Sequence, residues 1–255
     1  MPFTLGAFAE DIDAAGATVN ITALQDDTLF TQGDDLRVPQ LNQIIGVGGG
    51  LGSGGDGLMR LESPSLRQIN RLQINPLNGL GDADVEPSDP PAWVDMSLSP
   101  RRLDIDEILQ CVIDSDTSAA AFQWCLVLFG DGKPTPTSGE IITVHADGST
   151  TVTARAWSTV TITFVDTLPV GNYQVVGLRP FGATMIAARF IFKPGTWRPG
   201  AMGLDSQTSM NPDIFRYGRL GIWGEFASVT PPDLEVLCGS ADSAQDFEID
   251  LIKVS

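Results

Sequence analysis

The feature that most constrains the fold is a series of short β-type segments separated by turn residues. In residues 158–165, STVTITFV, threonines alternate strictly with apolar residues, which is typical of a strand with one buried face. Residues 246–254 alternate in the same way, and residues 120–130 are apolar on both faces, as in a central strand. Asp147 and Gly148 between two β-rich runs predict a tight hairpin turn. About eight strands are predicted after residue 120, which is the number in a jelly roll of two antiparallel sheets.

The N-terminal half gives weaker patterns, because its candidate strands are short and are interrupted by prolines. Residues 103–114 have apolar side chains at helical spacing, and Asp104 with Glu107 resembles a capping box, so a short helix is predicted there. The sequence therefore predicts an all-β, antiparallel β-sandwich of jelly-roll type with at most one or two short helices. Residues 1–115 would form a β-rich N-terminal domain, either a first jelly roll or an elaboration, and residues 116–255 an eight-stranded jelly roll.

Between Gly46 and Gly57 the chain has eight glycines, which raises the question of a phosphate-binding loop. The dinucleotide-binding pattern is present, but it requires a helix directly after it, and Pro64 interrupts the segment that follows. We therefore interpret the glycines as positions of close backbone approach, for example to a neighbouring copy. The single histidine, His145, is predicted at an exposed hairpin without a nucleophile motif. No catalytic, cofactor-binding or metal-binding residue is predicted, and the chain is not expected to be an enzyme.

The chain is strongly acidic, with 32 acidic residues against 15 basic ones and a net charge of −17. Such a surface repels phosphate groups, so neither direct nucleic-acid binding nor docking on anionic lipid is expected. Solvated turn carboxylates are the default interpretation of the many aspartates. Calcium is the one ion that the sequence leaves open, and its candidate ligands are the aspartate pairs Asp11/Asp13, Asp26/Asp27, Asp34/Asp35 and Asp82/Asp84.

The three cysteines, Cys111, Cys125 and Cys238, lie in apolar runs and show no metal-ligand spacing. We expect buried thiols that pack as small apolar side chains, and not a disulfide framework. The apolar run from Cys125 to Phe129 is far shorter than a membrane span, so no transmembrane segment is predicted.

Three groups of residues are predicted to make contacts between subunits. The long connection of residues 192–218 carries aromatic, arginine and methionine side chains, which are enriched at protein interfaces. The glycine stretch offers close backbone approach. The N-terminal 36 residues have seven acids and no base, and five arginines gather further along the chain, at Arg60, Arg67, Arg71, Arg101 and Arg102. An acidic and a basic surface on one chain would attract each other between subunits and fix their register. The residues predicted as assembly contacts are Gly48, Gly50, Gly54, Trp197, Arg198, Met210, Arg101 and Arg102.

With its short strands, its long interstrand loops and its Gly- and Pro-rich first half, the chain resembles the viral jelly-roll capsid proteins. If each half is one roll, the resemblance is to the double-jelly-roll major capsid proteins of membrane-containing viruses. That resemblance implies a structural virion protein that forms trimers of pseudo-six-fold shape. Its partners would be copies of itself and other virion proteins, and its location would be the virion.

Two other classes of function remain open from the residues alone. A carbohydrate-binding or adhesin-type β-sandwich, in an extracellular location, would show coplanar exposed aromatic side chains or a calcium ion beside an aspartate pair. A glycoside hydrolase would need two carboxyl groups in an acidic cleft, and their separation is set by the fold and not by sequence spacing.

Overall fold

The computed structural model describes residues 3–12, 17–24, 30–37, 41–51, 58–69, 72–74, 77–78, 93–115, 121–132, 134, 136–195, 197–204 and 213–254. Nearly all regular structure in these residues is antiparallel β, arranged in curled sheets consistent with a β-sandwich, which confirms the predicted all-β, antiparallel class. None of the helices in the described residues is long and apolar enough to cross a bilayer.

The chain divides into two compact units, which are described separately. The N-terminal unit is Leu5–Asp131, and the C-terminal unit is Gly132–Ser255 together with Met1–Thr4. The sequence predicts a boundary after residue 115. The strand Ala121–Gly130 follows that position, but it pairs along its length with the strand Gln43–Leu51 and therefore belongs to the N-terminal unit.

In the described residues, the N-terminal unit contains two sheets and one short helix. Its elements are β1 (Phe3–Ile12), β2 (Ala17–Ile21), β3 (Phe30–Gln32), β4 (Asp35–Arg37), β5 (Gln43–Leu51), β6 (Leu58–Glu62), α1 (Pro64–Ile69), β7 (Leu72–Ile74), β8 (Leu77–Asn78), β9 (Trp93–Asp95), β10 (Arg101–Arg102), β11 (Ile108–Ser115) and β12 (Ala121–Gly130). One sheet has the order β1-β12-β5-β10, with β8 and β9 also paired to β5. The other has the order β3-β4-β11-β6-β7, with β2 also paired to β11.

The part of the C-terminal unit that the structure describes also contains two sheets. Its elements are β13 (Ile141–Gly148), β14 (Ser158–Val160), β15 (Ile162–Phe164), β16 (Asn172–Phe181), β17 (Met185–Ile191), β18 (Gly200–Met202), the 3₁₀ helix η1 (Asp213–Phe215), β19 (Gly224–Ala227), β20 (Asp233–Cys238) and β21 (Gln245–Lys253). A five-stranded sheet has the order β15-β13-β21-β16-β19, and a four-stranded sheet has the order β14-β20-β17-β18.

The helix predicted over residues 103–114 is wrong, because β11 occupies most of that segment. The capping interaction does form: the backbone N–H of Asp104 donates to Glu107 Oε2 at 2.7 Å. It closes a turn instead of starting a helix, and Asp106 in that turn has a φ of 59°. Beyond the turn, β11 pairs with β2, β4 and β6, and these long-range hydrogen bonds outweigh the local helical spacing.

The hairpin turn predicted at Asp147-Gly148 is also wrong. Both residues lie inside β13, where Asp147 pairs with Asp246 on one side and with Thr163 on the other. Side chains in residues 158–165 alternate between buried and exposed as predicted, and Val160 and Ile162 are buried. However, it is divided between the two sheets, since β14 pairs with β20 and β15 pairs with β13.

Candidate functional site

The glycine stretch begins as the buried strand β5, and two of its predicted contact residues, Gly48 and Gly50, pair there with Leu126 and Trp124 of β12. A Cβ atom built on Gly50 would lie 2.5 Å from the Trp124 indole nitrogen, so only glycine leaves room for that ring. Gly54 lies outside the described residues. The glycines of β5 therefore have a packing role within the unit, and their contact with a neighbouring copy stays a prediction.

The predicted contact residue Arg198 is buried in the C-terminal unit. Its backbone N–H donates to Thr4 Oγ1 at 3.1 Å, and its guanidinium lies 3.7 Å from a carboxylate oxygen of Glu235. Trp197 is partly buried beside it, and Met210 lies outside the described residues. Because these contacts of Arg198 are internal, the structure gives it a role within the unit, and an assembly role for Arg198 or Trp197 stays a prediction.

Glu235 is the centre of a charged cluster on the four-stranded sheet. Arg189, which is 1% exposed, pairs with it across strands and donates from Nε at 2.7 Å. The Arg189 guanidinium also lies over the Trp157 ring, 3.8 Å from its centroid. A cation over an indole face is a favourable contact, so Trp157 covers the buried arginine instead of offering a free aromatic face.

By contrast, Arg101 and Arg102 are exposed on the short strand β10. They lie in a segment with two exposed aliphatic side chains, Leu98 at 94% exposure and Ile105 at 73%. We call Leu98, Arg101, Arg102 and Ile105 the basic edge. Arg60, which the sequence grouped with these arginines, is instead buried, and its Nε lies 2.7 Å from Glu62 Oε1.

A second charged cluster lies on the outer face of the five-stranded sheet. Asp250 is fully buried there, and its carboxylate accepts hydrogen bonds from Arg216 Nε at 2.8 Å and Nη2 at 2.9 Å. Thr143 Oγ1 at 2.7 Å and the backbone N–H of Tyr217 at 2.9 Å are two further donors. Burial lowers the pKa of Arg216, but the hydrogen bonds and charge of Asp250 raise that pKa by more, so the guanidinium stays protonated.

This cluster joins the segment around η1 to the sheet. Gly177 of β16 faces Asp250 directly, and a Cβ there would lie 2.3 Å from Asp250 Oδ2. Neither the arginine nor the glycine was predicted as a site residue. Arg216 and Asp250 are 34 positions apart, and no spacing rule joins residues at that distance.

The one group of potential metal ligands identified within the described residues is His145, Asp147 and Asp246. His145 Nε2 lies 3.2 Å from Asp147 Oδ1 and 3.3 Å from Asp246 Oδ1. His145 lies inside β13, so the predicted hairpin position is wrong, and its side chain, 40% exposed, lies between these two carboxylates on a sheet face. Of the aspartate pairs considered for calcium, Asp34 and Asp35 accept hydrogen bonds from Asn20 and Gln110.

A cleft of about 350 Å³ lies beside the edge strand β19 in the C-terminal unit. Its charged lining residues are Lys193, Glu225 and Asp233. Lys193 Nζ lies 3.5 Å from Asp233, and Glu225 accepts a hydrogen bond from Gln174 at 2.7 Å. The three groups are thus already engaged in pairs on the protein surface, where such pairs contribute little.

All three cysteines are buried free thiols, as expected from the sequence. Burial, followed by the contact with the Cys125 thiol, raises the pKa of Cys111 well above its usual range. Burial raises the pKa of Cys238 to about 12, with a further contribution from Asp242. Such thiols carry little thiolate at neutral pH and are poor nucleophiles in the folded chain.

Comparison of the chain with protein-family models, with curated proteins and with solved structures found no significant match.

Proposed function

We propose that the chain is a self-assembling shell subunit built from two tandem jelly rolls. The observation that carries this proposal is that both units pair their strands in one and the same order. A jelly roll is a long antiparallel ribbon wound on itself, in which strands 1 and 8, 2 and 7, 3 and 6, and 4 and 5 are partners. Winding the ribbon then places strand 8 beside strand 3 and strand 7 beside strand 4.

The C-terminal unit fits this scheme when β15 is set aside as an extra edge strand. The remaining strands, numbered in chain order, are β13, β14, β16, β17, β18, β19, β20 and β21. Their sheet orders are then 1-8-3-6 and 2-7-4-5. All four ribbon pairs and both cross-winding pairs are therefore present.

The N-terminal unit fits the same scheme with β1, β2, β5, β6, β7, β9, β11 and β12 as strands one to eight. Strand β10 pairs with β5, as the sixth strand β9 does, so β10 extends that position of the scheme. The β3-β4 hairpin and β8 are extra strands outside the scheme. Eight strands with six matching pairs in each unit are a strong constraint, because a random order of eight strands would satisfy few of these pairs. This repetition supports the double roll over a single roll with an elaboration.

A fold does not by itself imply a function, so the surface must also suit assembly. The basic edge places two exposed arginines beside two exposed aliphatic side chains on a chain of net charge −17. The surface of another copy is mostly acidic, and opposite charges attract and set the register of a contact. Among the large hydrophobic side chains exposed in the described part of the chain, Tyr217 is the single aromatic one, which does not favour a carbohydrate-binding platform.

Size-exclusion chromatography with light scattering, followed by electron microscopy of the purified chain, tests self-assembly. We expect a homo-oligomer, with a trimer at about three times the chain mass of 27.2 kDa as the smallest stable species. The purified chain remaining a monomer at its highest soluble concentration would contradict the proposal.

The double variant Arg101→Glu/Arg102→Glu tests the basic edge. Both side chains are exposed, so folding should be unchanged. The new glutamates would meet the acidic surface of the neighbouring copy, so like charges would repel across the contact between subunits. We expect the dissociation constant of the oligomer to rise about 10-fold or more. Arg219→Glu, a reversal at another exposed arginine, is the matched control, and an equal effect of the control would show that the basic edge has no special role.

A further inference from the structure

Two cysteines face each other across the interior of the N-terminal unit. Cys125 of β12 pairs with Gly49 of β5, so both residues point to the same side of their sheet. A Cβ atom on Gly49 would lie 2.6 Å from Met59 Sδ of β6, which belongs to the other sheet. The side of the first sheet that carries Cys125 therefore faces the second sheet at close range.

The second cysteine lies on the facing side of that other sheet. Cys111 of β11 pairs with Leu61 of β6, which is two residues from Met59 and therefore points in the same direction. The Cys125 side chain is near enough to raise the pKa of Cys111, and both residues are 0% exposed. The absence of a side chain at Gly49 allows the sheets to approach closely at this place.

We propose that Cys111 and Cys125 form a disulfide bond that joins the two sheets of the N-terminal unit when the chain folds under oxidising conditions. The two side chains point towards each other and lie close together, so small backbone adjustments can bring the two sulfur atoms to bonding distance. Cys238 belongs to the C-terminal unit, and its cross-strand neighbour there is Met185 and not a cysteine. We therefore expect Cys238 to stay a free thiol.

The reaction needs a disulfide oxidant, of which oxidised glutathione is the simplest example. The thiolate of one cysteine attacks the oxidant, forms a mixed disulfide and releases one glutathione thiolate. The second cysteine thiolate then attacks the protein sulfur of the mixed disulfide, forms the Cys111–Cys125 bond and releases the second glutathione thiolate. Two electrons pass from the protein sulfurs to the oxidant, and the two thiol protons end on the released glutathione.

Burial determines when this reaction takes place. Both thiols are fully buried and shielded from a soluble oxidant, so exchange is fast only while the unit is folding or open. In a reducing solution the thiols stay free. In an oxidising one, the bond closes a loop of about 15 residues and should raise the melting temperature of the N-terminal unit by roughly 5–10 °C.

The test compares the chain produced in an expression host with an oxidising cytoplasm and in one with a reducing cytoplasm. Free thiols are alkylated in denaturant, and peptides are mapped by mass spectrometry without reduction. We expect the oxidised preparation to be lighter by two hydrogen atoms, to contain the peptide linking Cys111 with Cys125, and to carry one alkyl group, on Cys238. The Cys238→Ser variant should give the same linked peptide and no alkyl group.

Two results would overturn the inference. One is alkylation of both Cys111 and Cys125 in soluble, folded protein from the oxidising host. The other is a linked peptide that contains Cys238 or joins two chains. Both results can be read from the wild-type chain alone, so they do not depend on whether a Cys111→Ser or Cys125→Ser variant folds. Self-assembly is not required for the bond, and the chromatographic test of assembly can fail while this test succeeds.

Discussion

Replacing the buried carboxylate Asp250 by asparagine should destabilise the C-terminal unit more than any other isosteric change on its outer sheet face. The carboxylate accepts four hydrogen bonds, two of them from Arg216, and the residue is 0% exposed. Asparagine keeps the shape and one acceptor oxygen, but it brings an NH₂ group to face donors that include a buried guanidinium. The change therefore removes one partner of a buried ion pair while leaving the other in place.

Breaking a buried ion pair in this way costs about 3–5 kcal/mol of unfolding free energy, because the remaining charge is left without compensation. Arg216 cannot relieve the penalty by losing its proton, because an arginine side chain stays charged in proteins. Glu248 also contributes to its raised pKa and would still do so after Asp250 is replaced. Glu248 accepts from Arg216 Nη1 at 3.0 Å and would remain after the substitution. We therefore expect a loss of about 3 kcal/mol, at the lower end of that range.

Urea unfolding monitored by circular dichroism, at neutral pH and constant salt, measures the change. The matched control is Asp246→Asn, because Asp246 lies on the same strand and the same face, but its side chain is 35% exposed. The control should change the unfolding free energy by no more than about 0.5 kcal/mol. The double variant Asp250→Asn/Arg216→Met should lose less than the sum of its two single variants, because it leaves neither charge unpaired.

A loss of less than about 1 kcal/mol in Asp250→Asn would refute the reasoning, because that is the cost expected of a solvated surface pair. Equal losses in Asp250→Asn and Asp246→Asn would refute it as well, since burial is the property that distinguishes the two carboxylates.

Two further predictions concern the N-terminal unit. Gly50→Ala should lose about 1–3 kcal/mol in urea unfolding, because the new Cβ meets the Trp124 ring, while Gly132→Ala, with open space around it, should be neutral. Equal stability of the two alanine variants would contradict the packing role. Burial raises the pKa of Glu107, but its hydrogen bonds from Ser65 and neighbouring groups together lower that pKa below the ordinary value. Its stabilisation is therefore full above the unfolded-state pKa and is lost as the pH falls through the folded-state pKa, so the stability difference between wild type and Glu107→Gln, measured between pH 7 and pH 2, should shrink in acid.

Sequence reasoning succeeded where a local pattern and the long-range pairing favour the same structure. The alternation around Val160 and Ile162 predicted their burial correctly, since both side chains enter a core whichever sheet the backbone joins. It failed where the two disagree. Asp104 and Glu107 form the local interaction that the sequence indicated, yet β11 follows as a strand because three other strands pair with it.

The candidate sites show the same division. Burial of Cys111 and Cys125 follows from the apolar runs around them, but their contact across the sheets does not, because nothing in a spacing of 14 residues indicates that two strands lie in facing sheets. Likewise, the exposed arginines Arg101 and Arg102 cannot be distinguished by sequence from the buried Arg216. The partner of Arg216, Asp250, is 34 positions away along the chain, and only the fold brings that carboxylate to the arginine.

By itself, the sequence determined the all-β class, the small helical content and the buried state of the cysteines, because these follow from side-chain chemistry and from a two-residue period that any strand must obey. Only the tertiary structure decided which strands are partners, where the two units divide, why β5 carries glycines and which charges are paired. The physical reason is that backbone hydrogen bonds between strands are the same for every sequence. The choice of partner is therefore made by the packing of side chains from distant parts of the chain, which no local pattern records.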